Sequence, residues 1–92
     1  MDPIDTEPAW AGLPLIPTWH AAQAMDELRL DLWDVLSILE SGYDCEKGRR
    51  KAGIRERCCG WRGITLKVIV CKEASGWVED RMAWIILNVL PC

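Results

Sequence analysis

The chain has no Phe, one Tyr and one His, and takes its aromatic area from six Trp. Six indoles bring large apolar surfaces to a core, and each carries an N–H that wants an acceptor once buried. No apolar run approaches the roughly 20 residues that a membrane-spanning helix needs. The longest, Met82 to Leu90, is about half that length and contains Asn88. Nor is there a basic leader: the chain opens Met1-Asp2-Pro3-Ile4-Asp5, acidic where a secretory signal would be positive. No C-x-x-C pair and no internal repeat is present. The five cysteines (Cys45, Cys58, Cys59, Cys71 and Cys92) are an odd set, which reads as free thiols in a reducing cytoplasm.

What is present suits one folded domain. Ninety-two residues are too few for two hydrophobic cores. The chain is 50% hydrophobic and 27% charged, a balance that excludes disorder along the whole length. The net charge of −3 hides a division. Residues 1–46 hold ten acidic groups against Arg29 alone, a balance of −9, while residues 47–92 hold ten bases against four acids, a balance of +6.

Pro3, Pro8, Pro14 and Pro17 argue against helix or central strand in residues 1–17, which read as an acidic extended arm outside the domain at 18–92. On this arm Trp10 is an anchor for docking onto the body or onto a second subunit. Thr18 can cap a first helix from Trp19 to Leu28, and Asp31 a second over Leu32–Ser41, with Leu32, Val35, Leu36 and Leu39 at helical spacing and Ile38 widening the stripe. Gly42 supplies the stop through its tolerance of left-handed backbone. Strands follow: a short one near Tyr43, then Ile54 to Trp61, the loop Arg62-Gly63, an alternating strand from Ile64, a turn at Ala74-Ser75-Gly76, and an apolar, central last strand from Met82. Trp33 and Trp84 read as core, and Trp77 as partly exposed. The expected fold is α+β, with two N-terminal helices on one face of a three- to four-stranded antiparallel sheet.

This order resembles a family of short prokaryotic proteins known only as an uncharacterised domain. The matching positions are His20, the segment Asp26-Glu27-Leu28-Arg29-Leu30, the helix Leu32–Ser41 with Gly42, and the strands from Ile54. The chain also looks like the wider RelE/ParE-type toxin group, whose members set basic residues on a small sheet against RNA or a topoisomerase partner. Where other members carry an Arg on the first helix, this chain has Met25 or Gln23.

The chemistry centres on the basic segment Lys47, Arg49, Arg50, Lys51, Arg55, Arg57 and Arg62. On a strand, Arg55 and Arg57 share a face about 6.6 Å apart, a step that suits successive phosphates, and Trp61 shares their parity and can stack on a base. The competing reading is a solvated charged surface paired with Glu46, Glu56 and the acidic helices. In a metal-free endoribonuclease His20 would be the general base and Arg55 or Arg57 the cation that stabilises the phosphorane-like charge. A structural His at a helix start is the bland alternative. Glu40 and Asp44 are further acid–base candidates, and Tyr43 a phosphate donor. Cys58 and Cys59 point to opposite strand faces, so they do not bind one zinc ion, and neither metal nor cofactor is called for.

The functional expectation is a RelE/ParE-like, toxin-related protein that contacts RNA or the ribosome, with an acidic protein partner or antitoxin and with the acidic arm able to cover the basic face. The alternative is a non-enzymatic protein-binding module or homodimer using the arm and the apolar last strand.

Overall fold

The computed structural model describes residues 8–45, 53–75 and 81–91. In chain order the elements are β1 (Ala9–Trp10), β2 (Leu13–Pro17), α1 (Trp19–Glu27), α2 (Leu32–Ser41), β3 (Tyr43–Asp44), β4 (Ile54–Trp61), β5 (Ile64–Ser75) and β6 (Arg81–Pro91).

The helices form where their caps dictate. Thr18 Oγ1 accepts from the Ala21 amide at 3.0 Å and opens α1. That helix closes through Arg29 in the left-handed region (φ 58), with Leu30 N donating to Met25 O and Arg29 N to Asp26 O. This closure brings Leu30 back onto Met25, and both are buried. Asp31 and Asp34 cap α2 reciprocally, each carboxylate accepting from the other's amide at 2.8 and 3.0 Å. Gly42 ends α2 in extended backbone (φ −79), not in the left-handed conformation expected of it. Its glycine character answers a close approach instead, since a Cβ there would lie 2.5 Å from Ile38 O and 2.6 Å from Cys58 O.

The six strands among the described residues form one sheet in the order β1-β2-β6-β5-β4-β3. This corrects the expected three- or four-stranded antiparallel sheet, although the class remains α+β. Two features were missed. Residues 9–17, read as an arm outside the domain, lie within the sheet as a hairpin turned by Ala11 (φ 51) and Gly12 (φ 81). And β2 pairs β6 in parallel, Leu15 opposite Trp84 and Pro17 opposite Ile86. The remaining ladders are antiparallel, with an irregularity at Ile69/Val70 in the β5–β6 register and a tight Arg62-Gly63 turn between β4 and β5.

The sheet is curled. In a flat sheet β1 and β4 would stand four strand spacings, about 19 Å, apart. Instead, the Arg55 guanidinium of β4 lies 4.9 Å from the ring centroid of Trp10 in β1. The helices fill the concave side: α1 lies on β6 and β2, and α2 on β4, β5 and β1. Val35, Ile38 and Leu39 of α2, Ala21 and Met25 of α1, and Leu66, Val68, Val70, Ile86 and Val89 of the sheet make the core, with Leu15 and Trp84 closing one end.

Candidate functional site

Arg55, Arg57, Cys59 and Trp61 stand opposite Val70, Val68, Leu66 and Ile64 and therefore share the concave, helix-bearing face of the sheet. That placement decides what each arginine meets. Arg57 runs under the end of α2: its Nε donates to Leu39 O at 3.2 Å, its NH2 donates to Gly42 O, and its NH1 pairs with Asp44 at 3.1 Å. These carbonyls belong to the last turn of a helix, where partners are lacking within the helix and a cation is favoured. With only 15% of its side chain exposed, Arg57 ties α2, β3 and β4 together.

Arg55 is different. Its side chain is 43% exposed, it pairs with Asp44 at 3.4 Å, and it lies over the Trp10 ring. Trp10 in turn packs on Trp84 with ring centroids 4.9 Å apart, and Trp84 Nε1 donates to Trp10 O at 3.0 Å. Lys72 of β5 lies over the far indole, its Nζ 5.7 Å from the Trp84 centroid. The register sets Arg55 opposite Val70. Lys72 is therefore its diagonal neighbour, at a backbone spacing of roughly 8 Å. The mouth of the curled sheet thus carries a row of cation, indole, indole, cation. Lys72 and Trp84 were not among the expected contact residues; neither their partnership with Trp10 nor the cation–indole row is visible without the β2–β6 pairing.

The other expected site residues are scattered. Lys47, Arg49, Arg50, Lys51 and Glu46 lie outside the described residues, as does Trp77. Trp61 shares the arginine face but packs against the core, its Nε1 buried with no hydrogen-bond partner, while the Arg62 guanidinium lies 5.7 Å from its ring. His20 is exposed on the first turn of α1, which packs on β6 and β2, whereas Arg55 and Arg57 lie beneath α2. The described contacts do not assemble a general base with a phosphate-binding cation around His20. Glu40 is exposed on α2, Tyr43 is 56% exposed on β3, and Asp44 takes both arginines. On the opposite face Glu56 is buried and pairs with Lys67 at 3.2 Å.

The cysteines need a correction. Cys45 and Cys58 are not free thiols: they form a disulfide with Cα atoms 5.6 Å apart, tying the end of β3 to β4. That separation is an ordinary one for a bridged pair. Cys59 and Cys71 are free. Burial and the neighbouring Glu73 carboxylate, towards which the Cys71 thiol points at 3.9 Å, push the Cys71 pKa up. Among the described residues no group of three or more His, Cys, Asp or Glu could hold a metal ion. No described helix is long and apolar enough to cross a membrane.

No family model, curated protein or solved structure matches this chain. Nothing in those comparisons links it to the RelE/ParE group.

Of the surfaces named for the protein-binding alternative, residues 9–17 of the arm and the strand β6 are engaged within the chain. Trp10 and β2 dock on the chain's own β6, and β6 itself runs between β2 and β5. Exposed apolar area lies elsewhere, at Trp19 (88%), Trp33 (50%), Ile64 (48%) and Met82 (42%). Trp33, expected in the core, faces outward from α2.

Proposed function

We propose that the chain is a binding module for single-stranded RNA, held at the mouth of the curled sheet by Arg55 and Lys72, with the half-buried Trp10 indole as the stacking surface and the buried Trp84 backing it. The observation that carries this reading is the row of cations on indoles. Arg55, Arg57 and Lys72 gather there, with Asp44 the carboxylate that pairs with the two arginines. Cations separated by a nucleotide-scale step, with aromatic surface between them, are what sequence-tolerant recognition of a single strand uses. Arg57 serves as the strut that holds Arg55 and Asp44 in place. The reading is binding without a cleavage step, since His20 lies on α1, which packs on β6 and β2, while the two arginines lie under α2.

The setting follows from the cysteines. A cytoplasmic location accords with RNA as ligand, but the Cys45–Cys58 bond belongs to an oxidising environment, and a reducing cytoplasm would hold the pair as thiols. Binding is therefore measured in both redox states.

The test is titration of a fluorescent oligouridylate of about 12 nucleotides, within the span that single-strand-binding grooves cover, with the wild type and the Arg55→Ala/Lys72→Ala variant across a salt series. Phosphate contacts make log affinity fall with log salt by roughly 0.7 per neutralised phosphate on a single strand, so losing two cations should flatten the slope by about 1.4. Binding that is absent at low salt, or equal in slope for both proteins, rejects the reading.

A further inference from the structure

We propose that the outer face of α1 is a docking site for an arginine side chain of a basic protein partner. Trp19 begins this face, and at 88% exposure its indole is almost wholly in water. An exposed Trp beside a concavity has the character of an interface anchor, for Trp is among the residues most enriched where binding energy concentrates. Trp19, Ala22, Gln23 and Asp26 line an open groove of about 260 Å³. Their spacing of three, four and seven residues puts them on one side of the helix.

Charge and size then select the occupant. α1 contains Asp26 and Glu27 and no Lys or Arg, and Asp26 is the one charged residue that lines the groove. A polyanion is repelled there and a cation attracted. The groove is smaller than the roughly 300–1,000 Å³ of sites for drug-sized ligands, and it matches a single long side chain. A guanidinium suits the lining better than an ammonium: its plane can lie on the Trp19 indole while its N–H fork reaches Asp26 and the Gln23 carbonyl oxygen. Ala22, between them, leaves room for the aliphatic stem. This site is acidic where the RNA-binding mouth is basic, and it lies on a different helix from the one above Arg55, so the two readings stand or fall separately.

The full chain is small enough for the indole and backbone N–H signals to be followed by NMR. The probe is acetyl-Gly-Arg-Gly-amide, with the same peptide carrying citrulline as the neutral control. The expected result is saturating shifts in the millimolar range at the Trp19 indole and at the Gln23 and Asp26 amides. Citrulline, or an Asp26→Asn variant, should weaken binding roughly fivefold to tenfold, and Trp19→Ala should abolish it. Both substituted residues are exposed, so the fold is preserved, and dispersion of the remaining signals checks this. Absent shifts at about 10 mM peptide, or equal shifts with citrulline, overturn the proposal. So do Trp19 shifts that appear on raising protein concentration alone, which would give the groove to a second copy of the chain.

Discussion

Substituting Arg57 by Ala tests whether its role is structural. The guanidinium donates to Leu39 O and Gly42 O and pairs with Asp44, with 15% of the side chain exposed. Hydrogen bonds from a charged donor contribute about 1.5–3 kcal/mol each, and truncation strands their part-buried acceptors. Taking the lower figure for the two carbonyl contacts gives a loss of about 3 kcal/mol, discounting the pair with half-exposed Asp44. For a domain of this size that lowers Tm by roughly 12–24 °C. Arg55, 43% exposed and held by one ion pair and one indole, should cost about 1 kcal/mol or less when replaced by Ala. The assay is urea unfolding followed by tryptophan fluorescence, with both variants and Arg57→Lys side by side. Lys cannot reproduce the fork and should recover little of the loss. Equal costs for Arg55→Ala and Arg57→Ala would refute the division of labour between them.

The two bridged cysteines, Cys45 and Cys58, stand 13 residues apart in sequence. Reducing their bond should lower stability by about 3 kcal/mol through the freed loop. A urea midpoint unchanged by reductant argues against the bond. Cys71 should alkylate slowly, because burial and Glu73 raise its pKa and thus leave little thiolate below that value. Glu73→Gln removes the charge while keeping an acceptor oxygen, lowers the pKa, and should speed iodoacetamide labelling at about pH 8; equal rates in the two proteins would contradict the assigned charge effect.

Much of the local structure was legible. The Thr18 and Asp31 caps, the α2 stripe, the Arg62-Gly63 turn and the Ile54–Trp61 strand depend on residues within a few positions of one another, and the structure has them where local pattern puts them. The N-terminal strands were hidden by their prolines. Pro14 and Pro17 cannot donate, but β2 needs few donors: Pro14 sits opposite Ala9 in a two-residue pairing and Pro17 closes the strand, while Leu15 N donates to Pro8 O. Parallel pairing of β2 with β6 leaves no local signal at all. The disulfide was masked by the odd cysteine count, since register across the β3–β4 pairing is what brings Cys45 to Cys58. Of the candidate site, the shared face of Arg55 and Arg57 followed from strand parity, but that α2 lies on that face did not. Helix packing therefore turned Arg57 from a presumed ligand contact into a helix clamp.

The β2–β6 ladder also sets an order of events during synthesis. β2 hydrogen-bonds the last strand of the sequence, and Thr18 N donates to Ile86 O across the same gap. At roughly 5–20 residues per second, the ribosome releases β2 seconds before its partner exists. Until the last eleven-residue strand emerges, Trp10, Leu13 and Leu15 have no Trp84 to cover them, and β5 lacks its neighbour on that side. A strand made early is therefore among the last to close, and closure of the curled sheet waits on the synthesis of β6. A nascent chain arrested short of β6 should present that apolar hairpin to chaperones, while the same hairpin is sheltered once β6 has emerged and paired with it.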